Sequence, residues 1–323
     1  MGEIRDLRAK PPTGGLMKKR CRLLLAAPRD CMHNLRVLVA AWRNAGVSVE
    51  RLPFDDALPD LAERIQARDD LDAVLLVGSA RRAPATVLSS PFAIDRNNRR
   101  VPIGWLPVTD AASLRRFALT AARVHRREGS EPGVALFSQW HPRYLRIVDR
   151  MEILLRHRLR IFRWTSDVIT REGLVDAMGS GLGLGIYVGH GRPIGWVGYH
   201  GMRRRHFNGF AGEPMGAVLS LCCRTASRRR TGLSYAEALP LLGVAAASFG
   251  ATTDTLHTDN TRWAVAICDA LARGVTRVGE LVAQAAPSFP RNASPYRLIG
   301  DPLAPLISSP VAFQRADAVR VYP

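Results

Sequence analysis

The chain has 323 residues, of which 47% are apolar; that is enough for one large or two modest cores and excludes a disordered or collagenous polypeptide. Its net charge of +18 comes from arginine more than lysine, which suits bidentate contact with carboxylates or phosphates, so an acidic partner and a merely solvated basic surface both fit. No run reaches the ~20 apolar residues of a membrane span, and the five cysteines lack CxxC spacing, so no metal or cofactor is expected and reduced thiols in the cytoplasm are the simplest reading.

Residues 1–20, with Pro11, Pro12, Gly14 and Gly15, read as a flexible tail. A strand over residues 22–27, a helix over 31–45 and a strand over 47–52 form a βαβ opening. A helix over 57–67, a strand over 73–78, a loop carrying Pro84 and Pro91, a strand over 101–108 and a long basic helix over 111–127 follow. This alternation is that of a mostly parallel α/β sheet with helices on both faces. Residues 128–133 combine Gly, Ser, Glu and Pro and mark a boundary between two side-by-side subdomains, 21–130 and 131–310, with 311–323 as a C-terminal tail. Beyond the boundary come strands over 134–138 and 160–164, with a helix over 144–159 between them, and then a helix beginning near Thr170. Two continuously apolar runs follow, one ending in His190-Gly191 and the other in Cys222-Cys223. A helix over 234–242, a strand over 244–249, two more helices and a strand over 296–299 complete the pattern.

Those two apolar runs carry the chemistry. Continuous apolarity is the mark of parallel strands covered on both faces, and neighbouring parallel strands all end at one edge of the sheet, where open α/β folds build their sites. Two such ends bring an imidazole beside a thiol although they are far apart in sequence. A histidine that takes the thiol proton and returns it to the leaving group makes cysteine a nucleophile for acyl transfer or hydrolysis. Backbone N–H groups of Gly191 and Cys223 at the same edge are candidates for an oxyanion hole. Buried cysteine is also a common core residue, so the pattern by itself leaves a non-catalytic module open.

The stretch from Ile186 to His200, with Gly189-His190-Gly191 and Trp196, resembles the histidine block of the gingipain-like cysteine peptidases, relatives of the caspases. The run Ser220-Leu221-Cys222-Cys223-Arg224-Thr225-Ala226 resembles their cysteine block. Residues 73–78, the strand Val101-Pro102-Ile103-Gly104-Trp105-Leu106-Pro107-Val108 and the turn Ile299-Gly300-Asp301-Pro302 resemble three further blocks in the family's order. The resemblance implies a caspase-like fold, His190 as general acid and base, and Cys223 as nucleophile of an endopeptidase working through a thioester. Cys223 is preferred to Cys222 because the family has a small residue before its nucleophile, and because strand alternation turns Cys222 to the other face. Trp105 stands where the family usually has arginine. A residue orienting His190 is not identified; Asp149, Glu152 and Asp167 precede it in sequence.

Two arginine runs, Arg203-Arg204-Arg205 and Arg228-Arg229-Arg230, fall in loops expected at the active edge. They would favour a substrate acidic beside the scissile bond. Asp254 and Asp259 could instead line a pocket for a basic residue. The partner expected is a protein substrate, with activation by a partner or by processing. Nucleic acid is not expected, because aromatic residues are not interleaved with the arginines. The competing reading is a caspase-like basic module that binds an acidic protein or nucleic acid without catalysis.

Overall fold

The apolar runs become the inner strands of one sheet. The protein is described by a computed structural model over residues 21–55, 60–129, 131–286 and 294–321. In chain order its strands are β1 (Arg22–Pro28), β2 (Ser48–Phe54), β3 (Ala73–Ser79), β4 (Phe92–Ile94), β5 (Arg100–Val108), β6 (Glu131–Ser138) and β7 (Arg160–Arg163), followed by β8 (Leu184–Val188), β9 (Gly191–Arg192), β10 (Gly195–Trp196), β11 (Met215–Leu221), β12 (Ala245–Ala251), β13 (Tyr296–Gly300) and β14 (Ile307–Ser308). Twelve of these form a sheet in the order β14-β6-β8-β11-β12-β13-β5-β3-β1-β2, with β4 added on β5 and β7 on β6. The remaining two, β9 and β10, make a separate hairpin.

Strands β6, β8, β11 and β12 run parallel to one another, and so do β13, β5, β3, β1 and β2. The antiparallel pair β12 and β13 joins the two groups, so their carboxyl ends lie at opposite ends of the sheet. The seam is tight: Gly104 of β5 faces Gly300 of β13, and a Cβ on Gly104 would also come within 2.9 Å of the Pro302 ring.

Alternate residues of each strand enter different cores. Leu23, Leu25, Leu75, Leu136, Ile186 and Leu219 join one cluster, while Leu24, Leu76, Phe137, Tyr187 and Val218 face two others. Both faces are therefore covered by helices, which is why the strands carry no polar alternation. The helix Ala111–His125 starts where Asp110 accepts a hydrogen bond from the Ser113 N–H at 2.8 Å. The helix Tyr235–Leu241 starts on a reciprocal capping box between Ser234 and Glu237.

Some boundaries differ from the sequence expectation. The helix expected over 31–45 is a 3-10 turn, Arg29–Leu35, followed by the helix Arg36–Asn44. The helix expected over 57–67 is described as Leu61–Gln66. Within residues 311–323, read as a tail, residues 311–317 belong to the helix Pro310–Asp317, which buries Ala312, Phe313 and Ala316; its apolar spacing was too short to stand out among the flanking polar residues. The expected tail over 1–20 lies outside the described residues.

Candidate active site

Strands β8 and β11 pair in parallel with Val188 opposite Leu221. His190 and Cys223 therefore each follow the last paired residue by two positions, at the same edge. The chain beyond them is packed closely. A Cβ on Gly191 would lie 2.5 Å from the Cys222 sulfur and 3.0 Å from the Thr225 methyl, and would also strike the Cys223 carbonyl. Glycine at 191 is thus required by the protein's own contacts.

The two cysteines of this turn have different surroundings. Cys222 is fully buried in the cluster of Tyr187, Trp196 and Tyr235, and burial first, then its neighbour Cys223, pushes its thiol well above the ordinary range. Cys223 is half-buried, and its sulfur lies 3.4 Å from the Thr255 N–H, 3.6 Å from the Thr255 hydroxyl and 3.7 Å from the Thr255 carbonyl. The following residue, Arg224, has φ of 58°, a left-handed turn that directs its N–H to the Thr253 carbonyl at 3.0 Å.

His190 is exposed, and its backbone is fixed on three sides. Its N–H donates to Gln139 Oε1 at 3.1 Å, and its carbonyl accepts from the Tyr187 hydroxyl at 3.1 Å and the Val197 N–H at 2.9 Å. The Tyr144 ring meets the His190 ring edge to face, with centroids 5.5 Å apart, and also meets the rings of His141 and His257. Burial is the main cause that raises the Tyr144 phenol above its ordinary range, and the Cys223 thiol contributes in the same direction. Tyr144, Gln139 and Thr255 were not anticipated from the sequence. The signal for two of them was the sheet itself: β6 and β12 flank β8 and β11, so the residues just after each, including Gln139 and Thr255, arrive at the same edge.

The arginines expected to line a substrate pocket are engaged elsewhere. The Arg203 guanidinium donates to the Trp196 carbonyl at 2.7 Å and the Met202 carbonyl at 3.2 Å. Arg204 and Arg205 line a cleft of about 330 Å³ with Thr109 and Arg116. Thr109 follows the carboxyl end of β5, which lies at the end of the sheet opposite to Cys223. Arg228 is paired with the fully buried Glu237 and also donates to the Ala80 carbonyl. Arg203 and Arg228 are thus held by contacts within the protein. Asp254 does lie in the loop that holds the Cys223 sulfur, but its carboxylate is exposed and paired with Arg224. Asp259 is 3.6 Å from Arg262. Asp149 and Glu152 both pair with Arg163, and Asp167 is exposed. Among the described residues no cluster of three or more His, Cys, Asp or Glu side chains could hold a metal ion, and no helix is long and apolar enough to cross a membrane.

Comparison with known proteins places this architecture. The chain is similar to the Arg-specific cysteine proteinase gingipain R (RgpB), with a TM-score of 0.70 and 17% identity over 91% of this chain and 80% of that one. It is similar to the complex of Porphyromonas gingivalis RgpB pro- and mature domains, with a TM-score of 0.67 and 16% identity over 90% of this chain and 80% of that one. A third structure, described as a protease, gives a TM-score of 0.68 and 11% identity over 92% of this chain and 81% of that one. At such identities the likeness is one of fold. A comparison with curated protein sequences gives no match. The profile of peptidase family C25 matches residues 143–307. With a little over half of its length matched by that profile, inside a gingipain-like fold, this chain belongs to peptidase family C25 and is a cysteine-type peptidase, a hydrolase.

Proposed function

We propose that the protein is an endopeptidase in which Cys223 is the nucleophile and His190 the general acid and base. Cys223 Sγ attacks the scissile carbonyl carbon while the imidazole takes the thiol proton. The tetrahedral oxyanion is held by the backbone N–H groups of Cys223 and Gly191. Collapse of this intermediate breaks the C–N bond; the imidazolium gives its proton to the leaving amine, and a thioester remains. Water, deprotonated by the same imidazole, then attacks the thioester, releasing the acid product and the thiol.

The observation that carries this reading is the register of Val188 on Leu221, which gives His190 and Cys223 equal reach past one sheet edge, with Cys223 accessible where Cys222 is not. Thr255, in hydrogen-bond contact with the sulfur, supports a fixed thiol position. The five free cysteines support a reducing, cytoplasmic setting, and control by a partner or by processing belongs to the same reading. The division into an N-terminal subdomain, 21–130, and a catalytic one, 131–310, is proposed with it.

Incubation of wild type, Cys223→Ala and Cys222→Ala with a proteome-derived peptide pool, reading new N-termini by mass spectrometry, tests the assignment. Cuts made by wild type and Cys222→Ala but not by Cys223→Ala are expected. Cuts that survive Cys223→Ala and vanish in Cys222→Ala would reverse the roles of the two thiols.

A further inference from the structure

Two of the large apolar side chains exposed at the surface of this protein lie in the loops that follow β6 and β12. Trp140 is 70% exposed and Leu256 is 68% exposed, the two highest values for large hydrophobic residues among those described. Trp140 follows β6 by two residues, next to the Gln139 side chain that accepts from the His190 N–H. Leu256 follows the Thr255 whose N–H donates to the Cys223 sulfur. One apolar side chain thus stands on each side of His190 and Cys223, in the spatial order β6, β8, β11, β12.

Neither is exposed because its backbone is loose. The Trp140 N–H donates to Ser166 Oγ at 2.6 Å, and the Leu256 carbonyl accepts from the Asp259 and Asn260 N–H groups at 3.1 Å each, starting the helix His257–Ala272. Single exposed apolar residues are ordinary at a protein surface; what distinguishes these two is that each directly follows a residue bonded to the His190 or Cys223 turn, Gln139 and Thr255. Arg224 and Asp254, which flank the Cys223 turn and the Thr255 loop, are paired with each other.

We infer that the polypeptide cut here carries large apolar side chains on both sides of the scissile bond, one seated on Leu256 and the other on Trp140. Three strand intervals separate β6 from β12, roughly 14 Å, which an extended peptide covers in about four residues. The two apolar positions are therefore about four residues apart and bracket the cut. This rests on the assignment of His190 and Cys223 to catalysis, and it replaces an acidic or basic residue by apolar ones as the recognised class.

The test is the distribution of residues around Cys223-dependent cuts in a peptide pool, for wild type, Trp140→Ser, Trp140→Phe and Leu256→Ser. Wild type is expected to enrich Leu, Ile, Phe and Met at two positions about four apart across the cut. Trp140→Ser should abolish enrichment at one of them, Leu256→Ser at the other, and Trp140→Phe should retain it. With synthetic quenched peptides, replacing either apolar residue by glycine should lower kcat/KM about ten- to hundredfold in wild type, and this ratio should fall toward one in the matching serine variant. Cuts without apolar enrichment, or enrichment untouched by both serine substitutions, would overturn the inference and leave the peptidase assignment standing. Absence of any Cys223-dependent cut would overturn the assignment, and the inference with it.

Discussion

Cys222 and Cys223 are adjacent, yet one belongs to the core and the other to the site. The sequence rule that separates them is alternation, and although the chain already bends at Cys222 and turns at Cys223, the two side chains still end in different surroundings, Cys222 buried and Cys223 half-buried. Burial then sets their chemistry. Burial and nearby groups raise the thiols of Cys222, Cys21, Cys31 and Cys268 above the ordinary range, to about 11 for Cys31 and about 12 for Cys268. A thiol whose pKa is raised holds its proton at neutral pH and reacts slowly with alkylating agents. Iodoacetamide at pH 7.5 should therefore modify Cys223 first, as read by peptide mass mapping of briefly treated native protein, and Cys222→Ala should not change that; faster modification at Cys222 would contradict the burial argument. Residues such as Thr255 and Tyr144 were not legible at this scale, because a threonine in a loop and a tyrosine near a helix start have no local signature. Their significance comes only from the neighbouring strand ends.

At the scale of elements, the arginine runs show where reading by sequence proximity fails. Arg228, Arg229 and Arg230 are consecutive, but Arg228 keeps only 11% of its side chain exposed and pairs with a Glu237 that has none, whereas Arg229 and Arg230 are exposed. Glu237 also accepts from the Ser234 N–H at 3.0 Å, the Ser234 hydroxyl at 2.8 Å and Trp105 Nε1 at 3.4 Å. It thereby ties the start of the helix Tyr235–Leu241 to β5. This gives Trp105 a defined structural partner. Removing one partner of such a pair leaves a buried charge uncompensated, which typically costs about 3–5 kcal/mol. Arg228→Ala should lower unfolding stability by that order in urea titration, while Arg229→Ala should stay within about 0.5 kcal/mol of wild type. Equal effects from the two substitutions would mean that the run acts as one solvated patch. The strand and helix succession was legible because it is written in apolar periodicity. The β9–β10 hairpin and the last helix were not, since two-residue strands and a single turn or two of helix carry too few residues to establish a period.

For the whole molecule, the sequence suggested two α/β units meeting near residue 130, and chain order alone cannot reveal which strand closes the gap between them. The seam is made by β13, which follows the site-bearing strands in sequence, pairs antiparallel with β12, and continues in parallel into β5 of the opposite half. One apolar cluster runs from Leu23 to Leu306 through both halves. Asp301, just past β13, is fully buried and accepts from Trp42 Nε1 at 3.2 Å while lying 2.7 Å from His125 Nε2, so polar contacts cross the same boundary. Separate unfolding of one half would expose this shared core and leave the edge of β13 or β5 without its ladder partner. The open sheet edge and unburied apolar surface make a half-folded state costly. The two halves should consequently unfold together. Hydrogen exchange followed across a urea series would report this directly, with protection of β3 in one half and β8 in the other collapsing at a common midpoint. Two well-separated midpoints would instead make the halves independent folding units, with β13 a dispensable link between them.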